Sequence, residues 1–204
     1  MRDRVDIKAQ ARAALSAQYG VMLGAFVVYT ILLGAISGVT FGLATLLLAP
    51  PLMVGYAWFC LSVFRGYQGD IGGMLSNGFN NFGRNLGGIL WMELFTFLWS
   101  LLFVIPGIIK ALAYSMTPYI LADTRAVPAT EALKLSMRMT NGYKGKVFVM
   151  YLSFIGWGLL SALTGGLLYI FYVGPYMNTA FAGLYEELKN QALRTGVIRP
   201  EELA

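Results

Sequence analysis

Between Ala13 and Phe64 the chain carries no charged residue. One helical crossing of a bilayer takes roughly 20 apolar residues, so this run holds two crossings. The chain therefore reads as an all-α, polytopic membrane bundle. Long apolar blocks stand where a membrane β-barrel would show a period-2 alternation. Charged residues make up 12% of the 204 positions, about half of the roughly 25% usual in soluble domains.

Taken in order, the charge-free blocks predict about six spans: 20–37, 43–64, 86–104, 106–122, 147–164 and 167–185. The first bend falls in Ser37 to Gly42, a small, polar, uncharged stretch. Residues 65–85 are rich in Gly and Asn and read as a loop, with one interfacial turn carrying Met74, Leu75, Phe79 and Phe82. The last block turns at Thr164-Gly165-Gly166 or at Val173-Gly174-Pro175, and length favours the first. Two amphipathic helices are expected on the membrane surface. In the first, about 5–18, Lys8 and Arg12 share one face and Ile7, Ala11, Ala14 and Leu15 another. In the second, about 128–141, Lys134 and Arg138 share a face opposite Leu133, Met137 and Thr140. A cleaved signal peptide is disfavoured, because the apolar region is long and a second span follows at once.

Lysine and arginine are distributed unevenly. The N-terminus holds four, residues 65–85 two, 124–146 five and 186–204 three; the opposite loops hold none. The positive-inside rule then places both termini in the cytoplasm. It also accounts for the net charge of +5 without nucleic acid as a partner.

A short pattern recurs: proline, any residue, an apolar residue, two of any type, a small residue, an apolar residue, alanine. It begins at Pro50, Pro106 and Pro175, each in a returning span. Leu-Ser recurs at 15–16, 75–76 and 135–136, each ahead of an outward span. The chain thus reads as three copies of one unit (surface helix, span out, proline, span back), with chance matching in a small-residue-rich sequence as the competing account.

Glu93 and Lys110 are the only charges inside predicted spans. Such residues cost roughly 2.5–3.5 kcal/mol on insertion scales and mark functional positions by default. In a hairpin turning near Ile105 they differ in depth by about 10 Å, so a direct pair is disfavoured. Lys110 can snorkel outward; Glu93 can take a partner such as Asn178, Ser115 or Tyr114. With Pro106 and Pro175, the residues Glu93, Lys110 and Asn178 are the intramembrane candidates. Lys134 and Arg138 are the candidate cytoplasmic interface. Gly34 and Gly38 have GxxxG spacing, which suits close helix approach. The four tryptophans suit interfacial anchoring and packing, with an aromatic ligand cage as the rival.

Chemistry is constrained mostly by absence. There is no histidine and one cysteine, Cys60, in an apolar run. That removes His-activated nucleophiles, an intramolecular disulfide and a Cys/His metal cluster. No catalytic residue, cofactor or metal ligand is expected, and the chain is read as a non-enzyme.

The segments IPGIIKALAYSMTPYILAD (105–123), EALKLSMRMTNGYKGKVFVMYLSFIGW (131–157) and GPYMNTAFAGLYEEL (174–188) resemble an uncharacterised integral-membrane family of Gram-positive bacteria, catalogued as a domain of unknown function. That family is distantly similar to the membrane domain attached to some glycerophosphodiester phosphodiesterases. The resemblance implies a plasma-membrane helical bundle and transfers no catalytic residue. The expected role is handling or transport of a lipid, peptide or other small amphipathic substrate. The alternative is an accessory or scaffold subunit that binds another membrane protein or a second copy of itself. Membrane lipids are expected partners on either reading.

Overall fold

The computed structural model describes residues 2–39 and 43–203. Residues 40–42 of the expected first bend lie outside them. All regular structure among the described residues is helical: α1 (Arg4–Ala17), α2 (Tyr19–Val39), α3 (Leu43–Phe64), α4 (Ile71–Asn80), α5 (Phe82–Leu102), α6 (Val104–Tyr114), α7 (Thr117–Asp123), α8 (Ala129–Thr140), α9 (Lys144–Leu163) and α10 (Gly174–Arg194), with a π-helical turn at Tyr169–Val173 and a 3-10 turn at Pro200–Leu203. Among the described residues five segments are long and apolar enough to cross a membrane: Tyr19–Gly38, Ala44–Phe64, Phe82–Leu102, Val104–Asp123 and Lys144–Leu163. The stretch 167–185 is not among them. It is divided between the π-helical turn and α10, and α10 runs on into Glu186, Glu187, Lys189 and Arg194.

The returning segments form the centre. Within the apolar stretches of α3 and α6–α7, 61% and 50% of residues are buried, against 17%, 17% and 22% in α2, α5 and α9. α10 completes the centre with Tyr176, Ala180, Phe181, Leu184 and Tyr185. α2, α5 and α9 stand outside and keep apolar side chains exposed, as lipid-facing helices do. The hairpin tips are strongly exposed: Leu101 to Ile105 at the α5–α6 turn, and Leu163 at the end of α9 with Leu167 just beyond it. The last turn lies at 164–166, where Gly165 and Gly166 both have positive φ (61° and 87°). Val173-Gly174-Pro175 sits inside the returning helical stretch instead.

The opposite ends of the three returning segments are tied together by charge. Arg65, just past α3, lies 2.6 Å from one oxygen of Asp123, the last residue of α7, and also pairs with Glu186 of α10. Lys189 reaches the other Asp123 oxygen at 2.6 Å, and the Tyr185 hydroxyl donates to it at 2.9 Å.

Three expectations are corrected by packing. The 65–85 stretch is not mainly loop: ten of its residues form α4. It is held by glycine, because a Cβ on Gly55 of α3 would strike the Met74 carbonyl and the Gly78 backbone, and one on Gly78 would strike the Pro51 carbonyl. α3 and α4 therefore touch backbone to backbone. Gly34 and Gly38, by contrast, have nothing within 4 Å of a built Cβ among the described residues, which bring no helix close to them. Finally, the apolar faces of α1 and α8 are covered by protein. Ile7, Ala11 and Leu15 are buried, with Ile7 against Gly183 of α10, and Ala132, Leu135, Ser136 and Met139 of α8 are buried likewise. An amphipathic period reports that one face is covered and not by what.

α1 and the C-terminal tail are each fastened by a carboxylate. Glu187 accepts from the Arg2 backbone N–H (2.9 Å) and pairs with its guanidinium (2.5 Å). Glu202 pairs with Arg138 at 2.5 Å. Partial burial raises the Glu187 pKa, but the Arg2 contacts outweigh it and hold it below 4.5. The Arg138 hydrogen bond holds Glu202 below its ordinary value too. A carboxylate with a lowered folded pKa stabilises above its unfolded value and stops doing so as pH falls through the folded one. Amide exchange in residues 2–8 and 197–203 is therefore expected to be flat from pH 8 to pH 6, after correction for intrinsic rates, and to accelerate below about pH 4. Constant corrected exchange down to pH 3 would count against these two ties.

Candidate functional site

The α5–α6 hairpin carries both intramembrane charges, and they leave it on different sides. α5 turns into α6 where Gly107 packs directly on Ser100, with Pro106 in the first turn of α6. Glu93 faces a groove of about 430 Å³ with Met53, Thr96, Ser100, Ser115, Pro118 and Tyr151. Lys110 faces another, of about 400 Å³, with Trp91, Phe95, Trp99, Tyr114 and Lys134. Among the described residues no ion pair or hydrogen bond joins them. Of the partners expected for Glu93, Ser115 shares its groove but donates to the Leu112 carbonyl (2.8 Å), and Tyr114 lies on the Lys110 side. Asn178 is elsewhere. Its side-chain amide donates to the Gly174 carbonyl (2.9 Å), and its backbone carbonyl accepts from the Tyr119 hydroxyl (3.3 Å).

The Lys110 groove has a definite chemistry. Trp91 and Phe95 stack at 5.4 Å and form one wall. The Lys110 ammonium lies 4.9 Å from the Trp99 ring centre, 5.8 Å from that of Tyr114, and 3.9 Å from the Met137 sulfur. A cation over ring faces is stabilised by the ring quadrupole and keeps its outer face for an anion. α8 supplies the other wall with Leu133 and Lys134. The groove thus presents ammonium groups at an aromatic and aliphatic surface.

The backbone beside these grooves is broken, and polar side chains mend it. Pro118 cannot donate to the carbonyl four residues back, and the helix stops between α6 and α7. Ser136 of α8 accepts from the Met116 N–H (3.2 Å) and donates to the Ala113 carbonyl (2.7 Å). Thr140 also donates to Ala113 (3.3 Å). Pro175 creates the same need at the π-helical turn, where the Tyr19 hydroxyl donates to the Phe171 carbonyl (2.9 Å). Pro106 and Pro175 therefore shape helices and line neither groove. Sequence reading missed Ser136, Thr140 and Tyr19. The recurring Leu-Ser at 135–136 was the one available signal.

The pair expected to form a cytoplasmic interface is divided as well. Lys134 is exposed and bonds Glu131 at 3.1 Å, whereas Arg138 is bound to Glu202 and to the Val197 carbonyl. Cys60 is buried beside the polar side chains of Tyr56 and Thr179. No group of three or more His, Cys, Asp or Glu side chains suited to a metal ion occurs among the described residues.

The model of a family described as "Protein of unknown function (DUF975)" matches residues 101–192. That range contains Lys110, the α6–α7 break, α8, α9 and most of α10, and leaves Glu93 outside. No curated protein and no solved structure matches the chain.

Proposed function

We propose that the chain is a multi-pass plasma-membrane protein, with both termini cytoplasmic, that handles or transports a small amphipathic substrate such as a lipid or peptide without enzymatic chemistry. The observation that carries this reading is the Lys110 groove. A cation on aromatic faces, continuous with exposed apolar helix, is complementary to a molecule with an anionic end and a greasy body. The orientation rests on the fourteen of fifteen Lys and Arg residues that fall on one side of a six-span threading. A threefold unit is part of the reading. It is supported by the order short helix, long helix, proline-bearing return, which occurs as α1–α2–α3, α4–α5–α6/α7 and α8–α9–α10.

The test is native mass spectrometry of the protein taken from its own membrane in mild detergent. Wild type is expected to carry a bound lipid or peptide, and Lys110→Gln to lose most of it while keeping its helical content. Transport, once a substrate is identified, is expected to fall at least tenfold in Glu93→Gln if that groove lies on the path. A different membrane protein bound in fixed ratio, with no small molecule, would replace this reading with the accessory-subunit one. That reading draws on the exposed α8 face around Lys134; Arg138 is already engaged within the chain.

A further inference from the structure

α1 carries Arg4, Lys8 and Arg12 at intervals of four, one above another on a single face. They line a groove of about 360 Å³ between α1 and α9, closed by Val5, Ala9, Ser153 and Tyr176. The Lys8 ammonium donates to the Ser153 hydroxyl (3.1 Å) and carbonyl (3.4 Å) and lies 4.2 Å from the Phe154 ring centre. The Arg12 guanidinium is 5.6 Å from the Tyr176 ring centre.

Two observations separate this groove from an ordinary solvated basic face. First, no carboxylate lines it. Arg2, Arg65, Lys134, Arg138 and Lys189 each pair with an acid, whereas among the described residues no ion pair is formed by Arg4, Lys8 or Arg12. Asp3 caps the Arg4 backbone N–H (2.7 Å), and Asp6 lies on another face of α1. Burial, then Arg4 and Arg12, lower the Lys8 pKa, so the stripe stands uncompensated. Second, Tyr176 is wholly buried and lines the groove, and its hydroxyl meets no carboxylate or carbonyl among the described residues; its polar neighbour is the Arg12 guanidinium. Burying a hydroxyl without a full set of partners is unfavourable, and the Tyr176 ring lies beside two of the three cations, Lys8 and Arg12.

We propose that this groove binds the phosphate headgroup of an anionic phospholipid, with Arg4, Lys8 and Arg12 neutralising it and the Tyr176 hydroxyl donating to one of its oxygens. The lipid is favoured over free phosphate by what adjoins the groove. Ser153 belongs to α9, one of the candidate spans. On the same face, toward the hairpin tip, come Trp157 and then Leu160, which is 50% exposed. Cation, aromatic ring and aliphatic chain follow in the order that suits headgroup, interface and acyl tail. The site is separate from the Lys110 groove and does not rest on the function proposed for it.

The test is fluorescence anisotropy of acyl-labelled phosphatidylglycerol, and separately phosphatidylcholine, on the full chain in neutral detergent. Wild type is expected to prefer phosphatidylglycerol by at least about tenfold. Arg4→Gln/Lys8→Gln/Arg12→Gln is expected to lose that preference, a drop of about 10- to 100-fold for three cations. Lys8→Arg keeps the charge and is expected to keep most of the preference, which guards against a fold defect in the triple variant. Tyr176→Phe is expected to weaken phosphatidylglycerol alone, by a few fold. Inorganic phosphate and glycerol 1-phosphate at millimolar concentration are expected not to displace the lipid. Equal affinity for the two lipids, or a triple variant that binds like wild type, overturns the site. Full displacement by inorganic phosphate overturns the lipid as its ligand.

Discussion

Asp123→Ala is expected to lower the apparent melting temperature in detergent by about 6–12 °C. Its carboxylate receives Arg65, Lys189 and the Tyr185 hydroxyl at 2.6, 2.6 and 2.9 Å, and its side chain is only 11% exposed. Removing one partner of a buried pair leaves the other charges without compensation, which costs about 3–5 kcal/mol when burial is complete. Arg65 is 31% exposed and Lys189 21%, so water recovers part of that, and about 3 kcal/mol is the reasonable figure. In a chain of this size 1 kcal/mol moves the midpoint by about 2–4 °C. Asp123→Asn keeps the shape and the Tyr185 contact and is expected to lose about half as much. A midpoint within 2 °C of wild type for the alanine variant would mean that apolar packing alone holds the three returning segments together.

Gly55→Leu is expected to detach α4 from α3 and to be at least as damaging. A single added carbon at Gly55 already meets the Met74 carbonyl and the Gly78 backbone, neither of which can rotate away. Overpacking of this kind costs about 1–3 kcal/mol and sometimes more. Gly55→Ala shows which effect wins, since alanine is favoured over glycine in a helix by about 1 kcal/mol. A net loss of stability in Gly55→Ala, with faster proteolysis of residues 71–80, is the expected result. Gly34→Ala is the control and is expected to be neutral or stabilising. A stabilised Gly55→Ala would show that α4 rides more loosely on α3 than the backbone contact implies.

Some of this fold is written locally and some is not. Spans are legible because charge must be kept out of lipid over a fixed length, so Ala13 to Phe64 announces two helices without reference to any neighbour. α1 and α8 are legible as amphipathic, but their burial in protein is not, since lipid and protein leave the same apolar stripe. Gly34 and Gly38 have the better motif for close packing, and Gly55 and Gly78 make the contact. The pair that matters lies on two helices, and a spacing rule sees only one. Glu93 and Lys110 could be singled out by charge, but their assignment to two separate grooves depends on how α8 and α3 flank the hairpin. Ser136 and Thr140 were invisible as menders of a helix break because the break is made by Pro118, a different part of the chain. Asp123 was read as the end of a span. That it gathers Arg65 and Lys189 depends on three segments arriving at one place.

The charged knot at Arg65, Asp123, Glu186 and Lys189 and the exposed tips at 101–105 and 163–167 sit at opposite ends of the same helices. One end of the bundle is fastened to itself and the other is left to the lipid. At the apolar tips the length of the helices has to match the thickness of a hydrocarbon layer, and a mismatch in a bilayer is taken up by tilt or by local thinning.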